Sequence, residues 1–221
     1  MDIVSEIFQK YSSKLGSDHI AQKSTLREIL KLRSENIRTI LEIGSGIGTI
    51  TEFLKLTYPQ RKIYGIEKDD WCKSQLAENP ELSNVIIFDD VKAFLTQGIK
   101  VDFIIIDDYF DQDDTYNLLK ESISNLNEVL ILIEGHRRIQ RLFVYRAFNR
   151  LGLKYHTRLY GRGSDSTKGG IVFVVNDNFK NVARFKTFVS IYVGLIISRY
   201  PIFRKIVPKS LRVLFNRSKE I

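Results

Sequence analysis

Apolar positions along the chain fall into two patterns. From residue 3 to 34 they recur at helical spacing, as Ile3, Ile7 and Phe8 and then Leu26, Ile29, Leu30 and Leu32. Gly16 with Ser17-Asp18 divides this stretch into two helices, and Ser24 or Thr25 stands where a cap for the second is needed. Beyond residue 36 the pattern changes to short unbroken apolar runs at 38–43, 62–66, 84–88, 101–106 and 127–133. Runs without alternation suit strands covered on both faces. The amphipathic stretches between and after them, 49–57, 69–77, 91–97, 115–124 and 137–151, suit crossover helices. Strand and helix repeated in this way predict a doubly wound, mostly parallel α/β sheet. Two last strands, 153–160 and 170–176, flank the polar, glycine-rich GRGSDSTKG loop and predict an antiparallel hairpin at one sheet edge.

Composition narrows the class. The chain has 221 residues, 43% hydrophobic and 27% charged, which suits one globular core with an appendage and excludes disordered, collagen-like or multi-span membrane proteins. Its one cysteine, Cys72, allows no internal disulfide, and no Cys/His cluster has zinc-site spacing. A reducing compartment, the cytoplasm, is the expectation. Residues 1–10 carry Asp2 and Glu6 without an apolar core and do not read as a secretory leader.

Charge is unevenly placed. The net charge is +8, yet residues 178–221 hold ten Lys and Arg against a single acid, Glu220, and the first 177 residues, with 24 basic and 25 acidic side chains, sum to −1. The basicity belongs to a tail and not to a groove in the main body. Three regions follow: a helical cap over 1–35, an α/β domain over 36–177 and a basic amphipathic tail over 178–221.

The first strand runs into Glu42-Ile43-Gly44-Ser45-Gly46-Ile47-Gly48-Thr49 and then a helix. Gly44 and Gly46 permit a tight turn and close approach of a ligand to the backbone. The helix start at Thr49 offers N–H groups and a positive dipole end. This is a nucleotide-type site at the carboxyl end of the first strand. Dinucleotide sites favour GxGxxG. Here the pattern is GxGxG, with an acid two residues before the first glycine, and a carboxylate there can pair with an ammonium group, which S-adenosylmethionine has and NAD lacks. Glu67, ending the second strand, falls 19 positions after Gly48, where a ribose-binding acid belongs. The third strand ends in Asp89-Asp90-Val91, placing an acid and a backbone N–H where an adenine ring can be read.

In EIGSGIG (42–48), GIEK (65–68), FDDV (88–91) and IIIDDY (104–109) the chain resembles the class I S-adenosylmethionine-dependent methyltransferases, over residues 36–176. The resemblance implies a seven-stranded Rossmann-like sheet whose last strand runs antiparallel. It puts Glu42 and Gly44 at the methionine part of the donor, Glu67 at the ribose, Asp90 and Val91 at the adenine, and Asp107 beside the sulfonium. Ser45, Gly46, Gly48, Thr49 and Lys68 complete the cofactor set.

Methyl transfer to oxygen needs an aligned acceptor and a group to take its proton. Asp107 and Asp108, ending the fourth strand, are candidates, with Asp108 alternatively capping the next turn. His136 is a third candidate base. Small O-methyltransferases of the catechol type hold a divalent cation after the fourth and fifth strands. Asp107 and Glu134 are weak candidate ligands for one, and Gly135 stands where that family has Asn, so metal dependence stays open. Arg137, Arg138 and Arg141 lie within one helical face and suit either an anionic acceptor or a solvated surface. The expected acceptor is a polar small molecule or a glycan.

In the tail, twelve uncharged residues precede Arg199, too few to span a bilayer. The basic and apolar residues interleaved over 185–217 suit an anionic membrane surface, and the alternative is a helix packed on the sheet or on a second subunit in a homodimer. Nucleic acid is the least favoured partner, because the tail offers few aromatic platforms. The expected location is therefore cytoplasmic, with a peripheral contact at the inner membrane face left open. Two other functions remain alongside methyl transfer: an NAD(P)-binding oxidoreductase, and a non-catalytic membrane-associated scaffold of the same fold.

Overall fold

The structure is a computed structural model that describes residues 2–123, 128–135, 137–161 and 169–176. The tail over 178–221, the loop residues Arg162 to Asp165 and His136 lie outside the described residues.

Seven strands form one sheet: β1 (Thr39–Ile43), β2 (Lys62–Ile66), β3 (Ile86–Phe88), β4 (Phe103–Ile106), β5 (Val129–Ile133), β6 (Tyr155–Leu159) and β7 (Ile171–Val175). Their spatial order is β3-β2-β1-β4-β5-β7-β6. The pairings from β3 through β5 are parallel. β7 runs antiparallel between β5 and β6, so the expected hairpin forms and its second strand is the inner one. Every residue of β4 and β5 is buried, as their unbroken apolar sequences require.

Among the described residues seven α-helices cover the sheet: α1 (Ile3–Ser12), α2 (Lys23–Lys31), α3 (Thr49–Thr57), α4 (Asp70–Glu78), α5 (Val91–Leu95), α6 (Gln112–Ser122) and α7 (Arg138–Leu151). Successive strand residues point to opposite faces and build two cores. Ile40, Phe103, Ile105 and Leu132 meet Ile7, Leu26, Ile29 and Phe53 from α1, α2 and α3. Leu41, Ile104, Ile106 and Ile131 meet Phe94, Leu118, Val144 and Phe148 from α5, α6 and α7.

Aspartates fix several helix starts. Asp2, Asp69, Asp90 and Asp111 each accept a backbone N–H from the first turn of α1, α4, α5 and α6. The Asp111 cap explains why α6 begins three residues before the amphipathic stretch suggests. α2 departs from expectation. It starts at Lys23 with Gln22 at the cap position and no side-chain cap, so Ser24 and Thr25 fall inside its first turn, where the Thr25 hydroxyl donates to Glu134 at 2.8 Å. α1 is tied to the body by Glu52 of α3, which accepts from Lys10 at 2.6 Å, from Tyr11 at 2.7 Å and from Asn79 at 3.0 Å.

Candidate functional site

A cavity of about 620 Å³ opens at the carboxyl ends of β1, β2, β4 and β5. Its floor is the turn after β1. Gly44 adopts φ +82°, and a Cβ there would lie 2.8 Å from Asp108 Cβ and 3.0 Å from the Asp107 carbonyl. Gly46 adopts φ +54°, and a Cβ there would lie 2.5 Å from the carbonyl oxygen of His19. The short 3-10 turn Ser17–His19 therefore rests directly on the glycine turn. Asp18, His19, Ile20 and Gln22 bring the N-terminal cap into the cavity wall. His19 also faces Trp71 of α4, with ring centroids 6.3 Å apart. The sequence marks 17–19 only as a break between two helices; the seat of this turn on Gly46 has no local signature.

Glu67 reaches the cavity from the end of β2 and is 7% exposed. Its carboxylate accepts from the Gly46 N–H at 2.7 Å and the Asp69 N–H at 2.8 Å, so it braces the turn. Each oxygen keeps a lone pair for a further donor. Glu42 lies beneath the turn at 1% exposure. It takes the Thr51 hydroxyl at 2.6 Å on one oxygen, and its other oxygen has no partner among the described residues. Burial pushes its carboxyl well above the ordinary range, the Thr51 bond opposes this, and the charges of Asp107 and Glu67 add to the rise. Ser45 and Thr49 are buried, and their hydroxyls likewise lack partners among the described residues. Gly48 adopts φ +97° as the N-cap of α3.

Asp90 and Val91 stand apart from the cavity wall. Asp90 caps α5 through the Ala93 N–H at 2.7 Å, and Val91 is in the core. Asp89 pairs with Lys73 at 2.6 Å. Lys68 lines the cavity and pairs with Asp108 at 2.7 Å, while Asp108 also accepts the Tyr109 N–H at 2.7 Å.

The ends of β4 and β5 carry a denser arrangement. Asp107 pairs with Arg137, whose guanidinium lies 5.2 Å from the centre of the half-exposed Tyr109 ring. Beside Asp107, Glu134 is 3% exposed and accepts from the Gln22 N–H at 2.7 Å and the Thr25 hydroxyl at 2.8 Å. The Thr25 hydroxyl is itself 3.2 Å from the Tyr160 hydroxyl. Burial first, and then the neighbouring Asp107 carboxylate, push Glu134 well above the ordinary range. Of the two weak metal candidates, Asp107 is paired with Arg137, and Glu134 gives one oxygen to Gln22 and Thr25 while its other oxygen has no partner among the described residues. Among the described residues no group of three His, Cys, Asp or Glu is arranged to hold a metal ion. The arginine face divides: Arg137 pairs with Asp107, and Arg141 donates to the carbonyls of Gly135 and Gly169. Cys72 in the wall is buried, and burial pushes its thiol up to about 12.

Six carboxyl side chains line the cavity, those of Asp18, Glu67, Asp69, Asp107, Asp108 and Glu134, against the cations Lys68 and Arg137. Such a wall favours a cationic ligand. A methyl donor with an ammonium and a sulfonium fits that wall and the Cβ-free floor at Gly44 and Gly46, while Glu42 lies beneath the floor and is not among the lining residues.

The fold is that of the class I S-adenosylmethionine-dependent methyltransferases. The chain is similar to precorrin-6y C5,15-methyltransferase from Geobacter metallireducens GS-15, with TM-score 0.58 and 13% identity, covering 72% of this chain and 91% of the other. It is also similar to the O-methyltransferase from Bacillus cereus solved with S-adenosylhomocysteine, with TM-score 0.55 and 16% identity, covering 79% and 90%. In sequence it resembles ribosomal RNA small subunit methyltransferase A of Pelagibacter ubique, 31% identical over 85 residues, 38% of this chain and 32% of the relative. The equivalent protein of Methanosphaera stadtmanae is 34% identical over 112 residues, 47% of this chain and 38% of the relative. The chain thus spans about a third of the length of these curated relatives. No protein-family model matches it.

Proposed function

We propose that the protein is an S-adenosylmethionine-dependent methyltransferase that modifies oxygen on a polar small molecule or saccharide. The observation that carries this reading is the acid-lined cavity over the Gly44–Gly46 turn, on a sheet of the methyltransferase order.

When bound, S-adenosylmethionine supplies a methyl group already activated on a sulfonium, which passes in line to the acceptor oxygen as the methyl–sulfur bond breaks and S-adenosylhomocysteine is left. Glu42 offers its unpartnered oxygen to the donor's ammonium, and Glu67 offers its remaining lone pairs to the ribose hydroxyls. Asp107, with its charge balanced by Arg137, receives the acceptor's hydroxyl proton. Asp108 and Lys68 form a second charge pair at the mouth and orient the polar acceptor. His136, outside the described residues, is the alternative base.

A second reading, an RNA acceptor, is supported by the match to ribosomal RNA methyltransferases. Labelled methyl transfer to a panel of saccharides, small hydroxylated molecules and RNA separates the two. The reading as a whole is tested by calorimetric titration with S-adenosylmethionine, S-adenosylhomocysteine and NAD. Binding of the first two alone supports it. NAD binding without them points to an oxidoreductase. Donor binding without turnover on any acceptor points to a scaffold. The basic tail is read as a contact with an anionic membrane surface, which would keep the enzyme peripheral. Among the described residues no helix is long and apolar enough to cross a bilayer.

A further inference from the structure

The end of the sheet opposite the glycine turn holds a second cleft, of opposite charge. Its volume is about 350 Å³, and it is lined by Arg38, Thr39, Gln60, Arg61 and Lys62. That volume lies within the span of small-ligand sites, about 300–1,000 Å³. The cause is topological. β1 and β2 are parallel and in register from Thr39 with Lys62, so the residues entering both strands arrive at one edge together. Three of the five lining side chains are cations and none is an acid.

Among the described residues no carboxylate pairs with Arg38, Arg61 or Lys62. Two acids stand nearby. Asp102 spends one oxygen on the backbone N–H groups of Arg38, at 2.9 Å, and Thr39, at 3.0 Å. Glu35 contributes its backbone carbonyl, which accepts from the Arg61 guanidinium at 3.2 Å. That bond fixes the half-buried Arg61 and leaves its other N–H donors directed elsewhere. Two guanidinium forks and an ammonium, with the Thr39 hydroxyl and the Gln60 amide beside them, form a donor set for a tetrahedral oxyanion.

We propose that this cleft is a second ligand site, separate from the donor cavity, and that it takes a phosphate group. β1 is five residues long, so the two sites lie about 16 Å or more apart. A ligand here does not compete with the methyl donor. The phosphate can come free in solution or from the backbone of a nucleic-acid strand.

The test is an NMR titration of the full chain, following backbone amides, with inorganic phosphate in one arm and a 12-nucleotide single-stranded RNA in the other. The variants are R38Q/R61Q/K62Q and a control, K14Q/R27Q/K92Q, that loses the same three charges from other exposed positions. Saturable shifts at Arg38, Thr39, Arg61 and Lys62 are expected, weakened about tenfold or more in the cleft variant and retained in the control. RNA binding much tighter than phosphate, and dependent on the cleft, assigns the phosphate to a strand. Equal binding per phosphate assigns it to a free ion. Absence of saturable shifts with both probes overturns the proposal, and so does equal weakening in cleft and control variants. Should the triple variant melt early, R38Q/K62Q, which leaves the Arg61–Glu35 contact intact, carries the same comparison.

Discussion

Replacing Gly46 by alanine isolates the role of the turn. Two costs combine. The residue holds φ +54°, and a left-handed alanine costs about 1–2 kcal/mol. The new Cβ also lands 2.5 Å from the His19 carbonyl, so the 17–19 turn has to move, at about 1–3 kcal/mol for an overpacked contact. Gly98 supplies the control. It has φ +62° with nothing within 4 Å of a built Cβ, so G98A bears the backbone cost alone. The sum is about 2–5 kcal/mol for G46A against about 1–2 kcal/mol for G98A, so at about 2–4 °C per kcal/mol G46A should melt about 4–20 °C below the parent and G98A about 2–8 °C below it. Calorimetry with S-adenosylhomocysteine should show a Kd about tenfold or more weaker for G46A, since both the floor and the wall of the cavity shift, and little change for G98A. If G46A loses no more stability than G98A and holds the ligand like the parent, the turn is not the donor's seat.

Glu42 gives a prediction in which stability and binding move in opposite directions. Its buried carboxyl keeps its proton in the folded protein at pH values where the unfolded chain has lost it, so its contribution falls as pH rises above the ordinary carboxylate range. E42Q should match the parent near pH 4 and melt progressively higher than it toward pH 7, while binding donor about tenfold more weakly; a melting difference independent of pH contradicts this. Y11F removes the hydroxyl shared by Glu52 and Asn79 and should cost about 1–3 kcal/mol in urea unfolding, with an unchanged midpoint as the contrary result. R137Q strips Asp107 of its cation and should lower turnover about tenfold or more with donor affinity nearly intact; equal loss of both would make Arg137 part of the donor site. Co-sedimentation with anionic vesicles should recover the full chain and lose it after truncation to 1–177, and equal recovery removes the membrane role of the tail.

Much of this architecture is legible locally because burial writes itself into composition. Phe103–Ile106 and Val129–Ile133 are apolar throughout since helices cover both faces of those strands. The glycine turn and the acids at the ends of β1, β2 and β4 are legible for a similar reason: tight turns and the polar ends of buried strands restrict residue choice. What local pattern does not carry is long-range pairing. Glu134 is held by Gln22 and Thr25, residues 112 and 109 positions away, and nothing near residue 134 announces them. The same distance hides the seat of His19 on Gly46. Thr25 illustrates the consequence. Its sequence position suits a helix cap, but α2 begins before it, at Lys23, and its hydroxyl satisfies a buried carboxylate from inside the first turn. Arg141 shows it again, because its helical face suits an anion while its guanidinium is held by the carbonyls of Gly135 and Gly169. Arg38 and Lys62 become neighbours only through the parallel register of β1 and β2.

The central claim is that the floor at Gly44 and Gly46 and the acids around it hold a cationic methyl donor. Crystals grown with saturating S-adenosylhomocysteine test it most directly. The account predicts ligand density over that turn, with the amino-acid amine on the Glu42 side and the ribose against Glu67. Density placed elsewhere, or a clear map of the cavity without ligand, contradicts it.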